Sequence, residues 1–141
     1  DHVLTPFVLN SFYNCCDPDR HSDYVRCKLS LPVDERTPAV RQMVFKNITA
    51  ANCHVAGAFL YGLPEQKVDY VEFNNVSITY ADDPQPDEPA MMDDIEPVAK
   101  MGIFAENVQK LVLKQVSVEG CDGEPFILNH VDEVVREEES I

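Results

Sequence analysis

An eleven-residue pattern occurs three times in this chain and restricts what it can become. In Val108-Gln-Lys-Leu111-Val-Leu113-Lys-Gln-Val116-Ser-Val118 the apolar residues fall at offsets 0, 3, 5, 8 and 10. Val40, Met43, Phe45, Ile48 and Ala50 keep those offsets, and so do Val68, Val71, Phe73, Val76 and Ile78. An amide side chain stands at offset 7 each time: Asn47, Asn75 and Gln115. Offsets 3, 5 and then 8, 10 are two short period-2 stretches with a break between them. Period 2 belongs to a strand with one buried face, not to a helix. β-branched residues dominate, and the copies contain neither Gly nor Pro. Each copy is therefore expected to be a pair of short strands bent at an amide corner.

A second repeat fills the gaps. Pro6-Phe7-Val8-Leu9-Asn10 nearly duplicates Pro125-Phe126-Ile127-Leu128-Asn129, and Gly102-Ile103-Phe104-Ala105 and Ala58-Phe59-Leu60-Tyr61 take the equivalent place. Val131 and Val134 begin a further copy, 23 residues after Val108 and Leu111. A repeat of that length is one turn of a strand-built solenoid, which buries its core by stacking on its neighbours. The expectation is an all-β fold, a parallel β-helix of about four coils. His2-Val3 before Pro6-Phe7-Val8 and His54-Val55 before Ala58-Phe59-Leu60 look like one corner in successive coils. A histidine there is either a stacked corner residue or an acid–base group. Neither has a visible sequence partner to tune it, which favours the corner.

Two stretches interrupt the repeats, giving one domain with insertions at 13–38 and 79–99 and an acidic tail at 132–141 that is expected to fray. The first insertion mixes Tyr13, Tyr24, Arg20, Arg26, Lys28 and Arg36, residue types that suit sugars and carboxylates. It reads equally as a lid over the wall. Its segment Leu31-Pro32-Val33-Asp34-Glu35-Arg36-Thr37-Pro38 reads as extended and Pro-bounded. The second insertion carries Pro84, Pro86, Pro89 and Pro97 among seven carboxylates, with Met91-Met92 as a plug onto the wall. Its spacing fits no calcium loop, and no metal or cofactor site is expected. The sequons at Asn47 and Asn75 both lie at offset 7, so the corner accounts for them without a glycan.

The chain has 141 residues, 45% of them hydrophobic, and a net charge of −14. Residues 1–46 balance Arg20, Arg26, Lys28, Arg36, Arg41 and Lys46 against six carboxylates, so the rest carries the acidic excess. Such a chain is a poor match for nucleic-acid phosphates. No apolar run is long enough to span a membrane. Five cysteines, with no metal spacing, read as small core residues of a reducing compartment, favouring the cytoplasm over secretion.

The pieces also resemble, in their order, the C-terminal coils of glycoside hydrolase family 28, the polygalacturonase-like enzymes, and more closely its bacterial exo-acting branch. The likeness is carried by Thr5-Pro6-Phe7-Val8-Leu9-Asn10-Ser-Phe12-Tyr13, Cys16-Asp17-Pro18-Asp19, Ser22-Asp23-Tyr24-Val25 and Leu31 to Pro38. It continues in Tyr61-Gly62-Leu63-Pro64-Glu65-Gln66, Pro89-Ala90-Met91-Met92 and Ile95-Glu96-Pro97. The resemblance implies a right-handed parallel β-helix and inverting hydrolysis of α-1,4 bonds in pectic galacturonans. Inversion needs an acid and a base about 6.5–9.5 Å apart. The family supplies them from Asn-x-Asp and Asp-Asp motifs, with a Gly-His-Gly and an Arg-x-Lys holding the substrate. All lie upstream of the matched part. Asp82-Asp83 and Asp93-Asp94 sit in the acidic insertion, and Arg26-Cys27-Lys28 in the first insertion, so none fits its motif. The chain is therefore expected to be the C-terminal part of a pectin-degrading hydrolase, without catalytic residues of its own. The alternative is a non-catalytic β-helix module for carbohydrate binding or scaffolding. Residues for substrate contact are Tyr13, Tyr24, Arg36, His54 and Tyr61. A pectic oligosaccharide or polysaccharide is the expected partner, and an open first coil is expected to allow a homodimer.

Overall fold

The computed structural model describes residues 1–12, 23–89 and 95–138. Tyr13, Cys15, Cys16, Met91, Met92 and the Asp93-Asp94 pair lie outside the described residues. Strand predominates: β1 (Phe7–Asn10), β2 (Gln42–Cys53), β3 (Ala56–Tyr61), β4 (Val68–Tyr80), β5 (Met101–Glu119) and β6 (Phe126–Glu137). The single helix among the described residues is one turn, α1 (Asp23–Arg26). No helix among them is long and apolar enough to cross a membrane.

The strands form one parallel sheet in the order β1-β3-β5-β4-β2, with β6 also paired to β5. The sheet is curled into a half-barrel. The long strand β5 explains the order. Its first part lies between β3 and β6, and its second part between β4 and β6. The chain thus passes the same two walls in successive rows: β1 then β2, β3 then β4, both parts of β5, and both parts of β6.

The three repeat copies are neighbours in register. Met43, Phe45, Ile48 and Ala50 pair with Val71, Phe73, Val76 and Ile78. Val71, Phe73, Val76 and Ile78 pair in turn with Leu111, Leu113, Val116 and Val118. The 23-residue step is also present, with Val108 opposite Val131. These side chains meet Phe7, Leu9, Ala58, Leu60, Ile103 and Ala105 from the other wall in one apolar core. Phe45 and Phe73 ring centroids are 5.1 Å apart, and Phe7 meets both at 4.9 and 5.2 Å.

The amide corner has a backbone reason. Asn47, Asn75 and Gln115 all have positive φ, at 56°, 54° and 51°. That conformation turns the strand so that the period-2 alternation restarts on the same face. Asn tolerates it better than other L residues because its short side chain bonds locally. Here the Asn75 amide donates to the Asn47 Oδ1 at 2.8 Å, tying one row to the next.

Several expectations need correction. The His2–His54 alignment is one residue out: Phe7 pairs with Ala58 and Val8 with Phe59. Alternating walls fix this, because a slip of one residue would move Phe7 and Leu9 out of the core. The two rings still lie near one another, 6.2 Å apart, but only His2 has positive φ. β4 continues to Tyr80, so the acidic insertion starts later than 79. The tail is paired strand as far as Glu137, because β5 offers a complete edge to it. Leu31 to Pro38 is not simply extended but contains a tight turn. The Thr37 amide donates to the Asp34 carbonyl at 3.1 Å, and the Thr37 hydroxyl oxygen accepts from the Asp34 amide at 3.0 Å. Among the described cysteines Cys53 is fully buried, and burial raises its thiol pKa. Cys27 and Cys121 are free and only half-buried.

Candidate functional site

The first insertion and the turn between β3 and β4 enclose a cavity of about 190 Å³. Two of the residues singled out from sequence, Tyr24 and Arg36, line it together with Ser11, Leu63 and Glu65. Ser11 follows β1, and its amide donates to the Tyr61 carbonyl at 3.1 Å, which fastens this side to the end of β3. Leu63 and Glu65 are placed by the turn after Gly62. The Gly62 amide donates to the Glu106 carbonyl at 2.8 Å, and the Asn107 side-chain amide donates to the Gly62 carbonyl at 3.0 Å. A Cβ at Gly62 would stand 2.4 Å from the Asn107 carbonyl oxygen, so this close approach requires glycine. Asn107 is itself buried with φ 59°, another amide corner.

Arg36 does not offer a free fork. The Asp34 carboxylate takes its Nη2 at 2.6 Å and its Nε at 3.2 Å, a bidentate pair. The guanidinium also covers the Tyr24 ring, 4.2 Å from its centroid. The hydrogen bond from Arg36 holds the Asp34 carboxyl below the usual carboxylate range, and Asp34 in turn raises the Arg36 pKa. The expected role of Arg36 as a clamp for a ligand carboxylate is thus taken by Asp34, two residues away. A local pair forms because the Asp34–Thr37 turn brings both side chains to one side.

Tyr61 and His54 are not in this lining. Tyr61 sits next door at the end of β3, with its ring 5.0 Å from Phe12 edge-on and 5.9 Å from Phe104. Burial, and then the Glu106 charge, raise its phenol pKa. Lys28 Nζ stands 6.0 Å from its centroid. Glu106 pairs with Tyr61 in register and holds His130 Nδ1 at 3.0 Å. His54 is engaged elsewhere. Its Nδ1 accepts from the Gln85 amide at 3.1 Å, anchoring the loop after β4. That contact supports a structural role. Tyr13 lies outside the described residues.

Sequence reasoning missed Glu65. Its Oε2 is buried and has no hydrogen-bond partner among the described residues. It stood within the Tyr61-to-Gln66 stretch, but no pattern distinguished it from any turn glutamate. Asp82 and Asp83 are exposed. No three His, Cys, Asp or Glu side chains among the described residues converge as metal ligands.

A larger hollow of about 440 Å³ is lined by apolar Leu113, Val116 and Phe126 and by polar or charged Gln115, Arg136 and Glu137.

No family model matches the chain, and neither a curated protein nor a solved structure matches it.

Proposed function

We propose that the half-barrel is the curved wall of a right-handed parallel β-helix, and that it serves a polygalacturonase-like glycoside hydrolase of family 28. The single observation that supports this reading best is the in-register stacking of rows, with a positive-φ amide at the same corner of three of them, Asn47, Asn75 and Gln115. In this reading the chain contributes the C-terminal rows of an enzyme that hydrolyses pectic α-1,4 galacturonans with inversion. The catalytic carboxylates are not on these rows, and the chain supplies wall and substrate contacts. Tyr24 and the neighbouring Tyr61 are the aromatic groups placed to meet a sugar. A pectic oligosaccharide is the ligand, and the free edges of β1 and β2 are the place for a homodimer contact. Unpaired strand edges favour such pairing.

A non-catalytic carbohydrate-binding module fits the same wall, and the Asp34–Arg36 pair favours it for this chain. The arginine best placed to hold a galacturonate carboxylate is already neutralised. Both readings make the chain by itself non-catalytic, and reducing-sugar release with gel retention tests that shared claim. The chain is expected to release none from polygalacturonate above a buffer control while still retarding in an affinity gel containing it. Release that is abolished by Asp82→Asn or Asp83→Asn would overturn the reading of those carboxylates as exposed loop residues.

A further inference from the structure

We infer that the row made by β6 stacks on the row made by β1 and β2 of a second copy of the chain, head to tail and in the register the rows already use. This deepens the homodimer reading by naming the surface that meets the free edges of β1 and β2. It rests on that reading and not on the carbohydrate one.

The first ground is open backbone pairing. Among the described residues β1 pairs only with β3, β2 only with β4, and β6 only with β5. Every one of these pairings is parallel, so the first and last rows run in the same direction. A second copy shifted along the stack meets the open edge as one more parallel row. Strand edges left open in this way invite such pairing.

The second ground is the columns. Met43, Val71, Leu111 and Val134 share one column, and Phe45, Phe73, Leu113 and Arg136 the next. On the other wall, Phe7, Ala58, Ile103 and Phe126 share a column, as do Leu9, Leu60, Ala105 and Leu128. Continued into a second copy, the same register sets Val134 beside Met43, Phe126 beside Phe7 and Leu128 beside Leu9. It brings Arg136 to the ring of Phe45, which suits a guanidinium. On the outer face, Val44 meets Val135, the end of its own column. Val44 and Val134 are 40% and 39% exposed, and each gains an apolar neighbour.

The third ground is charge. Lys46 shares a column with Asn74, Lys114 and Glu137, so stacking sets Glu137 of one copy against Lys46 of the next. Both side chains are exposed. Strand β2 carries Lys46 and no carboxylate, whereas β6 carries Asp132, Glu133 and Glu137 with Arg136. Two β2 edges would bring Lys46 no carboxylate from either strand, and two β6 edges would bring like charges together. Head-to-tail stacking pairs opposite signs.

The test is sedimentation velocity of the full chain across a concentration series. A head-to-tail contact that does not close grows past two copies, so species larger than a dimer are expected to increase with concentration. Lys46→Glu and Glu137→Lys are each expected to weaken association at least about tenfold, by setting like charges together. The double variant is expected to return to within about threefold of the unaltered chain, because the pair is restored with its signs exchanged. That recovery requires a folded chain, which separates a lost contact from a folding defect. A double variant that does not recover would overturn the register. An assembly that stops at two copies and ignores Glu137→Lys would overturn the inference and leave a homodimer through β1 and β2 alone. A chain that stays monomeric throughout the series would overturn both.

Discussion

The second and fourth rows of the wall repeat one backbone and differ in what lies on either side. In β4, Phe73 at offset 5 is fully buried between Phe45 and Leu113. In β6 the same column is filled by Arg136, opposite Leu113, with its guanidinium 4.7 Å from the Phe126 centroid. Val71 at offset 3 is fully buried, while Val134, in the same column, is 39% exposed. The strand pattern sets the backbone in both rows. The number of covering neighbours decides how much each side chain contributes. β6 meets its weaker cover with charge: Arg136, and Glu133 paired to Lys110 at 2.9 Å. β2, at the opposite edge, keeps Met43, Phe45 and Ile48 only partly covered.

The largest expected effects lie in this column. Phe73→Ala should cost roughly 3–5 kcal/mol, the range for a large buried aromatic. Phe45→Ala, on the edge row, should cost about half as much, since part of its ring already faces water. Arg136→Ala should cost no more than about 1 kcal/mol, the scale of an exposed cation–π contact. Urea unfolding of the three variants orders them directly. Equal losses at Phe73 and Phe45 would break the distinction between inner and edge rows.

Next come the corners. Asn75→Ala should lose about 1–2 kcal/mol, from the αL conformation and the 2.8 Å bond to Asn47. Asn75→Gly should lose less, because glycine takes positive φ freely. Thermal melts separate the two. Equal losses for Gly and Ala would place the cost in the amide bond, which both variants remove, rather than in the backbone.

The smallest effect is in pH. On the outer face of β4 the Tyr70 hydroxyl donates to Glu72 at 2.5 Å, and the Asn74 amide donates to it at 3.0 Å. Those bonds, with Lys114 and Lys46, hold the Glu72 carboxyl below the usual range. Asp34 is lowered in the same sense by Arg36. A carboxyl lowered on folding adds stability that is complete above its unfolded value, about 4. That stability is lost as pH falls through the folded value. Stability should thus fall on acidification below about pH 4, and Glu72→Gln should flatten part of the slope. Side-chain carboxyl NMR titration should place each midpoint below the ordinary value for its residue type. Midpoints at the ordinary value would remove the contribution.

Much of the wall was legible because period 2 and the amide corner are local facts that stacking enforces. Met43, Val71 and Leu111 are apolar for the same reason, and their spacing gives the register. The histidine alignment misled by one residue because it rested on a type match at His2 and His54, where the backbone differs. The candidate site was less legible. Tyr24 and Arg36 were visible as residue types, but the turn from Asp34 to Thr37 that pairs Arg36 with Asp34 depends on local hydrogen bonds. Glu65 was not legible at all. One of its oxygens is buried, a tertiary fact that no local pattern announces. The tail was misread because its charges looked like a frayed end, whereas an edge strand needs only backbone partners and tolerates charge outward.

Native-state hydrogen exchange tests the central claim, that one repeated strand pattern is stabilised by the rows on either side of it. Amides of β4 from Val71 to Ile78, and their partners in β5 from Leu111 to Val118, should exchange only through global unfolding. In β6, amides from Val131 to Glu137 should exchange faster through local opening, and those of β2 should lie between. Uniform protection from β2 to β6, or faster exchange in β4 than in β6, would contradict the account.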